Sequence, residues 1–595
     1  MKQSKVIFQN GNPFLSVDDK IMSPCAYITY FEENNDYQAF SDNGFRIYSV
    51  SVALANQPIN TASGFCPHAG GVFDKKGVAD FSHVDAAIAR IIESCPDAYI
   101  FPRIYVCMPE WWILENPTET TPVPHGKRRE ALYSQKFRED AAKMLCELID
   151  HFKEFFASEH IIGYQISGGN TQEWFHLDLN GSFCENALPY FNEYLAQNGF
   201  SAANKLPDIE KRKECEIITD PLISAYIRFA NDSVAQTVEF LCKTAKEKTE
   251  YKQIIGVFYG YTMEIAHYPL WGSHSLSKLL DSPYIDFFSS PNSYADGRSL
   301  GIDWPDMMPV DSVKLHGKMC FIECDIRTFL TKLPNESRAG CDPYNVYVGD
   351  VFKGPPTEQL SVWAVRKSLA RQLTHKHGLW WFDMFGHWYS TPSLMQEMKR
   401  ALSLYNRKDF NDCEFSNSVA VFLDETAYAK VGEKHPAFRS IRTMKSVIGS
   451  APAPYSVFLA SDFDEIDWQN STYKAVLFLI PGESEFVSRA QEKLSDAGIS
   501  TLAISAQQPL FSCDTLVEFY KKSGVFLYCD SKDVVYSGNG FFALHSASDG
   551  QKHIRFPKPL KCTDVENGDV YIGDQITFEC QKFETKLFMT QLYNE

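Results

Sequence analysis

A chain of 595 residues, 44% hydrophobic and 22% charged, is too long for one ordinary domain and too evenly composed for a fibrous or largely disordered protein. Its formal net charge of -18 argues against nucleic acid and anionic membrane surfaces as partners, because both demand a concentrated basic face. The polar start, Met1 to Asn10, lacks the apolar core of a secretory signal, and no later stretch reaches the roughly 20 apolar residues of a bilayer span, so a cytoplasmic location is expected. The sixteen cysteines are scattered, and Cys107, Cys320 and Cys529 lie inside apolar runs, which suits buried thiols. Cys66 and His68 are the one close Cys/His pair, so neither a metal nor a cofactor is expected.

Between about residues 25 and 390, strand-like apolar runs alternate with helix-like stretches, the pattern of parallel β/α architecture. The runs are CAYITYF from Cys25, FRIYSVSVAL from Phe45, AYIFPRIYV from Ala98, HIIGYQIS from His160, QIIGVFYGY from Gln253, YIDFFSS from Tyr284, KMCFIEC from Lys318 and GLWWFDM from Gly378. Eight strands close a (β/α)8 TIM barrel. Ser82 is placed to cap a helix with Val84, Ile88, Ile91 and Ile92 on one face. Over residues 134–156, Phe137, Ala141, Met144, Leu145, Leu148, Phe152 and Phe155 make one stripe, which predicts a helix packed outside the barrel. The barrel is assigned residues 1–408, with an amino-terminal extension and a long insertion, 174–252, after the fourth strand.

The polar segment RKDFNDCEFSNS reads as a domain boundary. Residues 409–532 follow as an open, flavodoxin-like α/β domain, its strands beginning at Val419, Tyr455, Lys474, Ile499 and Gly524. It carries no phosphate-binding glycine motif, which leaves an assembly role. Residues 533–595, with VVYSG, GFFALHSAS, KHIRF, DVYIG and KLFMT, read as a small antiparallel β domain.

Barrel active sites lie at the carboxyl ends of the strands, and two carboxylates stand there. Strand four ends in GYQISGGNTQEWF, with Glu173, and strand seven in CFIECDIRT, with Glu323. Retaining cleavage of a glycosidic bond needs a nucleophilic carboxylate and a carboxyl general acid about 5–5.5 Å apart, and strands four and seven face each other across a barrel mouth. Asp325 rivals Glu323, since alternation puts both on one side of the strand, but Glu323 directly follows the apolar run and Asp325 is better placed to pair with Arg327. Arg327 is a candidate to keep one carboxylate ionised, and Asn170 with nearby rings to raise the other's pKa.

The succession FDKKGVADFSHVD, PRIYVCMPEWWILENP, GYQISGGNTQEW and DPLISAYIRFANDSVAQTVEFL resembles the clan A glycoside hydrolases of the family 42 β-galactosidase type. The resemblance spans most of the chain and implies that Glu173 is the acid/base, Glu323 the nucleophile, and the two carboxyl-terminal units a trimer-forming and a β domain. In that family Asn directly precedes the acid/base. Here Gln172 does, and Asn170 lies three residues before Glu173, behind Gly168 and Gly169, so either Asn170 swings back or Gln172 takes its place. The family's zinc-binding cysteine cluster has no counterpart.

Further candidate sugar contacts are Arg103 and Trp112 after strand three, Trp174 and His176 after strand four, Tyr261 after strand five, Tyr294 after strand six and Trp381 with Asp383 at strand eight. Trp381 resembles the strand-eight sugar platform of the clan, and Tyr294 is placed to hydrogen-bond the nucleophile. The expected function is a retaining exo-β-glycosidase, a β-galactosidase by resemblance, acting on a small glycoside or oligosaccharide as a homotrimer. A β-mannosidase or other β-glycosidase would need the same pair. A carbohydrate-binding barrel without catalysis is the alternative of another class. A metal-assisted lyase or aldolase lacks its strand-end ligand cluster or lysine.

Overall fold

Strands buried on both faces read as continuous apolar runs, and every residue of Gly163–Gly168, Ile254–Phe258, Met319–Cys324 and Gly378–Asp383 is buried. The computed structural model describes residues 1–155, 157–179, 185–407 and 417–593. These four strands are the fourth, fifth, seventh and eighth of a (β/α)8 barrel, whose first and sixth are Cys25–Thr29 and Phe287–Ser289.

The second and third strands are each split, Ile47–Tyr48 from Ser51–Ala53 and Tyr99–Ile100 from Arg103–Val106. One half of each stands at either end of a ten-stranded sheet, so the ring closes on eight strand positions. Pro102 sits in the third strand's break, where it has no N–H to give a ladder. Pairing resumes on either side of it, from Phe101 N–H to Tyr48 O (3.1 Å) and from Arg103 N–H to Val50 O (2.8 Å).

Ser134 caps the helix Gln135–Glu154 by accepting the Phe137 N–H at 3.1 Å, and Phe137, Ala141, Leu145, Leu148 and Phe152 are buried along it. Ser82 does not cap its helix. It is the first residue of Ser82–Ser94, and Asp80 accepts both its N–H and its hydroxyl, since a carboxylate two residues back reaches donors that the hydroxyl cannot. The insertion after strand four carries the 28-residue helix Pro221–Lys248.

The open sheet runs Tyr455–Leu459, Val419–Leu423, Ala475–Phe478, Ser500–Ala503, all parallel. The run from Gly524 forms no strand. Its Tyr528 N–H binds Pro452 O and its carbonyl accepts from Arg555, while Tyr528 and Cys529 join the core of the last domain, so it links the two sheets. That domain is a five-stranded antiparallel sheet from Val534 to Leu592. The expected boundary near residue 408 lies in 408–416, outside the described residues. Cys107, Cys320 and Cys529 are free thiols, and among the described residues no helix is long and apolar enough to cross a membrane.

One buried polar cluster joins the three units. Asp303 accepts from Tyr455 of the open sheet (2.7 Å) and Tyr536 of the last sheet (2.6 Å), and Arg371 pairs with Asp303 (3.2 Å) and Asp306 (3.0 Å). Removing one partner of such a pair strands a buried charge, so Arg371→Met is expected to lower stability by about 3–5 kcal/mol, read by chemical denaturation.

His316 bridges the barrel to the second unit through Asp281 (2.7 Å) and Asp462 (3.2 Å). Burial draws its pKa down, but the two carboxylates outweigh that and hold it above its usual value. A pKa raised in the folded state gives stability that is complete below the unfolded value, about 6.5, and lost as pH rises through the folded one. The unfolding temperature should therefore fall as pH rises above about 6.5, with a component that His316→Gln removes.

Candidate active site

Strand seven delivers Glu323 to the barrel mouth, its N–H bonded to Ser290 O (3.0 Å) and only 5% of its surface exposed. Arg103, from the start of the second half of strand three, faces it: Nη2 lies 3.6 Å from Glu323 Oε2 and has no hydrogen-bond partner. The rest of the guanidinium is held by Gln165 Oε1 (3.2 Å), Tyr30 Oη (3.3 Å) and Gln172 Oε1 (3.4 Å). Rings of Trp380, Phe258, Phe382 and Tyr30 surround it at 4.6–5.7 Å. Burial pushes the Glu323 carboxyl well above the carboxylate range. Asp325 and Glu173 add to the rise, while Arg103 opposes it.

The acid/base candidate hangs on an unusual turn. Gly169, Thr171, Gln172 and Trp174 all have left-handed backbone, φ +57° to +68°. The chain doubles back so that Trp174 N–H reaches Gly168 O (2.8 Å) and Asn170 N–H reaches Phe175 O (2.9 Å). A Cβ on Gly168 would stand 2.6 Å from the Trp174 ring, and one on Gly169 2.4 Å from Phe175 O, so both glycines are required. Three non-glycine residues held there store strain, which recurs at functional sites. The turn aims Glu173 at the barrel axis, with the Thr171 hydroxyl donating to its Oε2 (2.6 Å). Burial pushes its pKa up to about 7. Thr171 and Tyr261 draw it down, and Asp325 pushes it further up.

Glu173 and Glu323 line one cavity of about 300 Å3, with Arg103, Tyr294 and Arg327 among its polar walls. Tyr294 does not bind Glu323: its hydroxyl donates to Asp325 (2.5 Å). Arg327 likewise pairs with Asp325 (2.6 Å), as does Arg298 (2.5 Å), so Arg103 is the cation that meets Glu323. Asn170 accepts from the Thr61 N–H (2.9 Å) and stays behind the turn, whereas Gln172, fully buried, meets Arg103 and keeps an unpartnered Nε2. Tyr261 lies beside Glu173.

The remaining candidates stand elsewhere. Trp174 is stacked under Gly168 and bonds Ile166 O (3.2 Å), and His176 bonds Ala230 O (2.8 Å), so both brace the turn. Trp112 bonds Asp140 (2.9 Å) on the barrel's outer helix. On strand eight the alternation is one residue out of step with expectation: Trp380 and Phe382 point inward, while Trp381 meets Tyr389 and Asp383 accepts from Tyr27 Oη and Trp388 N–H, both at 3.0 Å. Sequence reasoning missed Tyr30, Thr171 and Trp380. Tyr30, directly after the strand Cys25–Thr29 in the CAYITYF run, was open to the same strand-end argument. Among the described residues no group of three His, Cys, Asp or Glu side chains is placed to hold a metal ion.

No protein-family model matches the sequence, and no curated protein sequence matches it. Solved structures do. The β-galactosidase of Rahnella sp. R3 superposes with a TM-score of 0.61 at 12% identity over 96% of this chain and 99% of that one. A catalytic mutant of a GH42 β-galactosidase from G. stearothermophilus gives 0.60 at 10% over 96% and 98%, and the β-galactosidase of Bacillus circulans sp. alkalophilus 0.59 at 11% over 95% and 98%. The chain has the fold of the family 42 β-galactosidases. That likeness covers all three units, so it extends to the order of barrel, open sheet and small β-sheet.

The turn's electrostatics are testable without a substrate. Thr171→Val removes the hydroxyl that favours the ionised carboxylate, so the Glu173 pKa should rise above about 7. A 13C-detected titration of labelled glutamate reads it, and an unmoved or lowered value counts against the assignment.

Proposed function

We propose that the protein is a retaining exo-β-glycosidase, with Glu323 as nucleophile and Glu173 as acid/base. The observation that carries this reading is two carboxyl groups, at the ends of strands four and seven, lining one cavity with unequal partners. Burial raises both pKa values, Asp325 adds to the rise at each, and Glu173 adds to it at Glu323. Arg103 beside Glu323 favours the charge there, and the pKa of about 7 leaves Glu173 a proton to give.

In the first step Glu323 attacks the anomeric carbon while Glu173 protonates the departing oxygen. Glu173 then takes a proton from water, which displaces Glu323 with overall retention. Gln172, with its free Nε2 beside Arg103, is our candidate for the amide that holds a sugar hydroxyl. The fold neighbours make a β-galactoside the first substrate to try, with β-mannoside and other β-glycosides after it. We assign residues 1–408 to the catalytic barrel, 409–532 to an assembly unit and 533–595 to the β domain, in a cytoplasmic homotrimer.

A panel of alkyl and aryl β-glycosides followed by NMR reads both the accepted sugar and the anomer released first. Glu323→Gln should abolish turnover, and Glu173→Gln should cost about 10²–10⁴-fold toward a poor leaving group and remove the fall in activity above about pH 7. Inverted product excludes the double displacement, and no turnover of any glycoside leaves a carbohydrate-binding barrel.

A further inference from the structure

The cavity has two unlike ends. Its inner end holds the charged groups Arg103, Glu173 and Glu323, whereas the loops after strands two, seven and eight bring mainly apolar side chains to its wall, Ile59, Phe65, Val346, Val351, Phe352 and Met384, beside the polar Asn60, Tyr347 and Arg327. The one amide there, Asn60, is already engaged with Tyr347 Oη and the N–H groups of Ala62 and Ser63, so a sugar would meet few free polar partners on this wall.

The strand-seven loop continues this character into solvent, with Tyr344, Val346 and Val348 each 45–49% exposed. Three apolar side chains on one exposed loop are costly unless something covers them. The loop is built to hold its shape. Buried Asp342 accepts the N–H groups of Val346 (3.2 Å) and Tyr347 (2.9 Å), and Asn60 Nδ2 on the strand-two loop donates to Tyr347 Oη (3.0 Å). Tyr344 is further fixed by the His125 ring, stacked on it at 3.6 Å and 8°.

We infer that this collar seats the aglycone, so that the substrate is a β-glycoside of an apolar, ring-bearing alcohol and not a sugar–sugar disaccharide. The inference rests on the glycosidase reading for its inner end. The collar is continuous with the carboxylate pair, which puts the glycosidic oxygen between Glu173 and the apolar wall. A sugar in the outer half would lose water from its hydroxyls and find few partners.

The test compares 2-phenylethyl and methyl glycosides of whichever sugar the panel accepts, whose alcohols are nearly equal leaving groups. Burying one phenyl ring should raise kcat/KM about tenfold to a hundredfold for the phenylethyl glycoside, and Val346→Asp should pull that ratio toward one. Equal kcat/KM for the pair, or a ratio that Val346→Asp leaves unmoved, overturns the inference. So does a Val346→Asp variant that changes the mass in solution instead of the ratio, because the collar is then a surface between copies. Calorimetric binding of the same two glycosides to Glu323→Gln, with β-galactosides used if nothing is hydrolysed, separates the two readings. An affinity difference without wild-type turnover keeps the collar and removes the catalysis, whereas turnover with equal affinities does the reverse.

Discussion

The site depends on one buried cation. Arg103 sits inside the barrel with 1% of its surface exposed, and its burial is made tolerable by four aromatic rings and three oxygen acceptors. Those partners come from strands four, five and eight, the end of strand one and the strand-four turn, so the guanidinium ties strand three to five other chain segments. Its one unpartnered nitrogen is directed at Glu323. Without that charge, Glu323 would stand beside Glu173 and Asp325 with little to favour ionisation.

A second charge system keeps Asp325 apart. Two arginines and a tyrosine hydroxyl saturate its carboxylate, and it is fully buried. Two acidic side chains two residues apart, one near the end of strand seven and one just past it, thus acquire different chemistry from their surroundings alone. Asp325 is bound into a fixed cluster, while Glu323 keeps a cavity face and a single opposing cation at 3.6 Å. The left-handed turn completes the arrangement by presenting Glu173 from the opposite wall. Gly168 and Gly169 are what let the chain fold back closely enough to do so.

The sequence was legible where one periodicity dominates. Eight apolar runs, the stripe on Gln135–Glu154 and the carboxylates at the ends of strands four and seven follow from alternation, helical spacing and the rule that barrel chemistry gathers at strand ends. It was illegible where adjacent residues compete for one role. LWWFD offers two tryptophans, and an apolar run buried on both faces gives no polar alternation to choose between Trp380 and Trp381. Asn170 and Gln172 posed the same problem, and what separates them is a run of positive φ values that no composition rule announces for Thr, Gln and Trp. The Gly524 run failed for another reason: it is apolar because it is buried between two sheets, not because it pairs in one.

The second unit matters to the site even though none of its described residues lends a side chain to the cavity wall. Glu264, just after strand five, accepts from Ser293 (2.6 Å) and pairs with Lys445 of the open α/β unit. Ser293 adjoins Tyr294, and the same loop carries Arg298, which also donates to Ser293 O (3.3 Å) and Asn292 O (2.7 Å). The two groups that hold Asp325 from the strand-six side, the Tyr294 hydroxyl and the Arg298 guanidinium, therefore rest on a loop tied to a neighbouring domain. Loosening that tie would free Asp325 to act on Glu323 by field alone, raising the carboxyl whose ionisation the proposed attack requires. A domain without phosphate-binding glycines or catalytic carboxylates thus has a physical reason to accompany the barrel. It buttresses the loop on which the charge balance between two neighbouring acids depends.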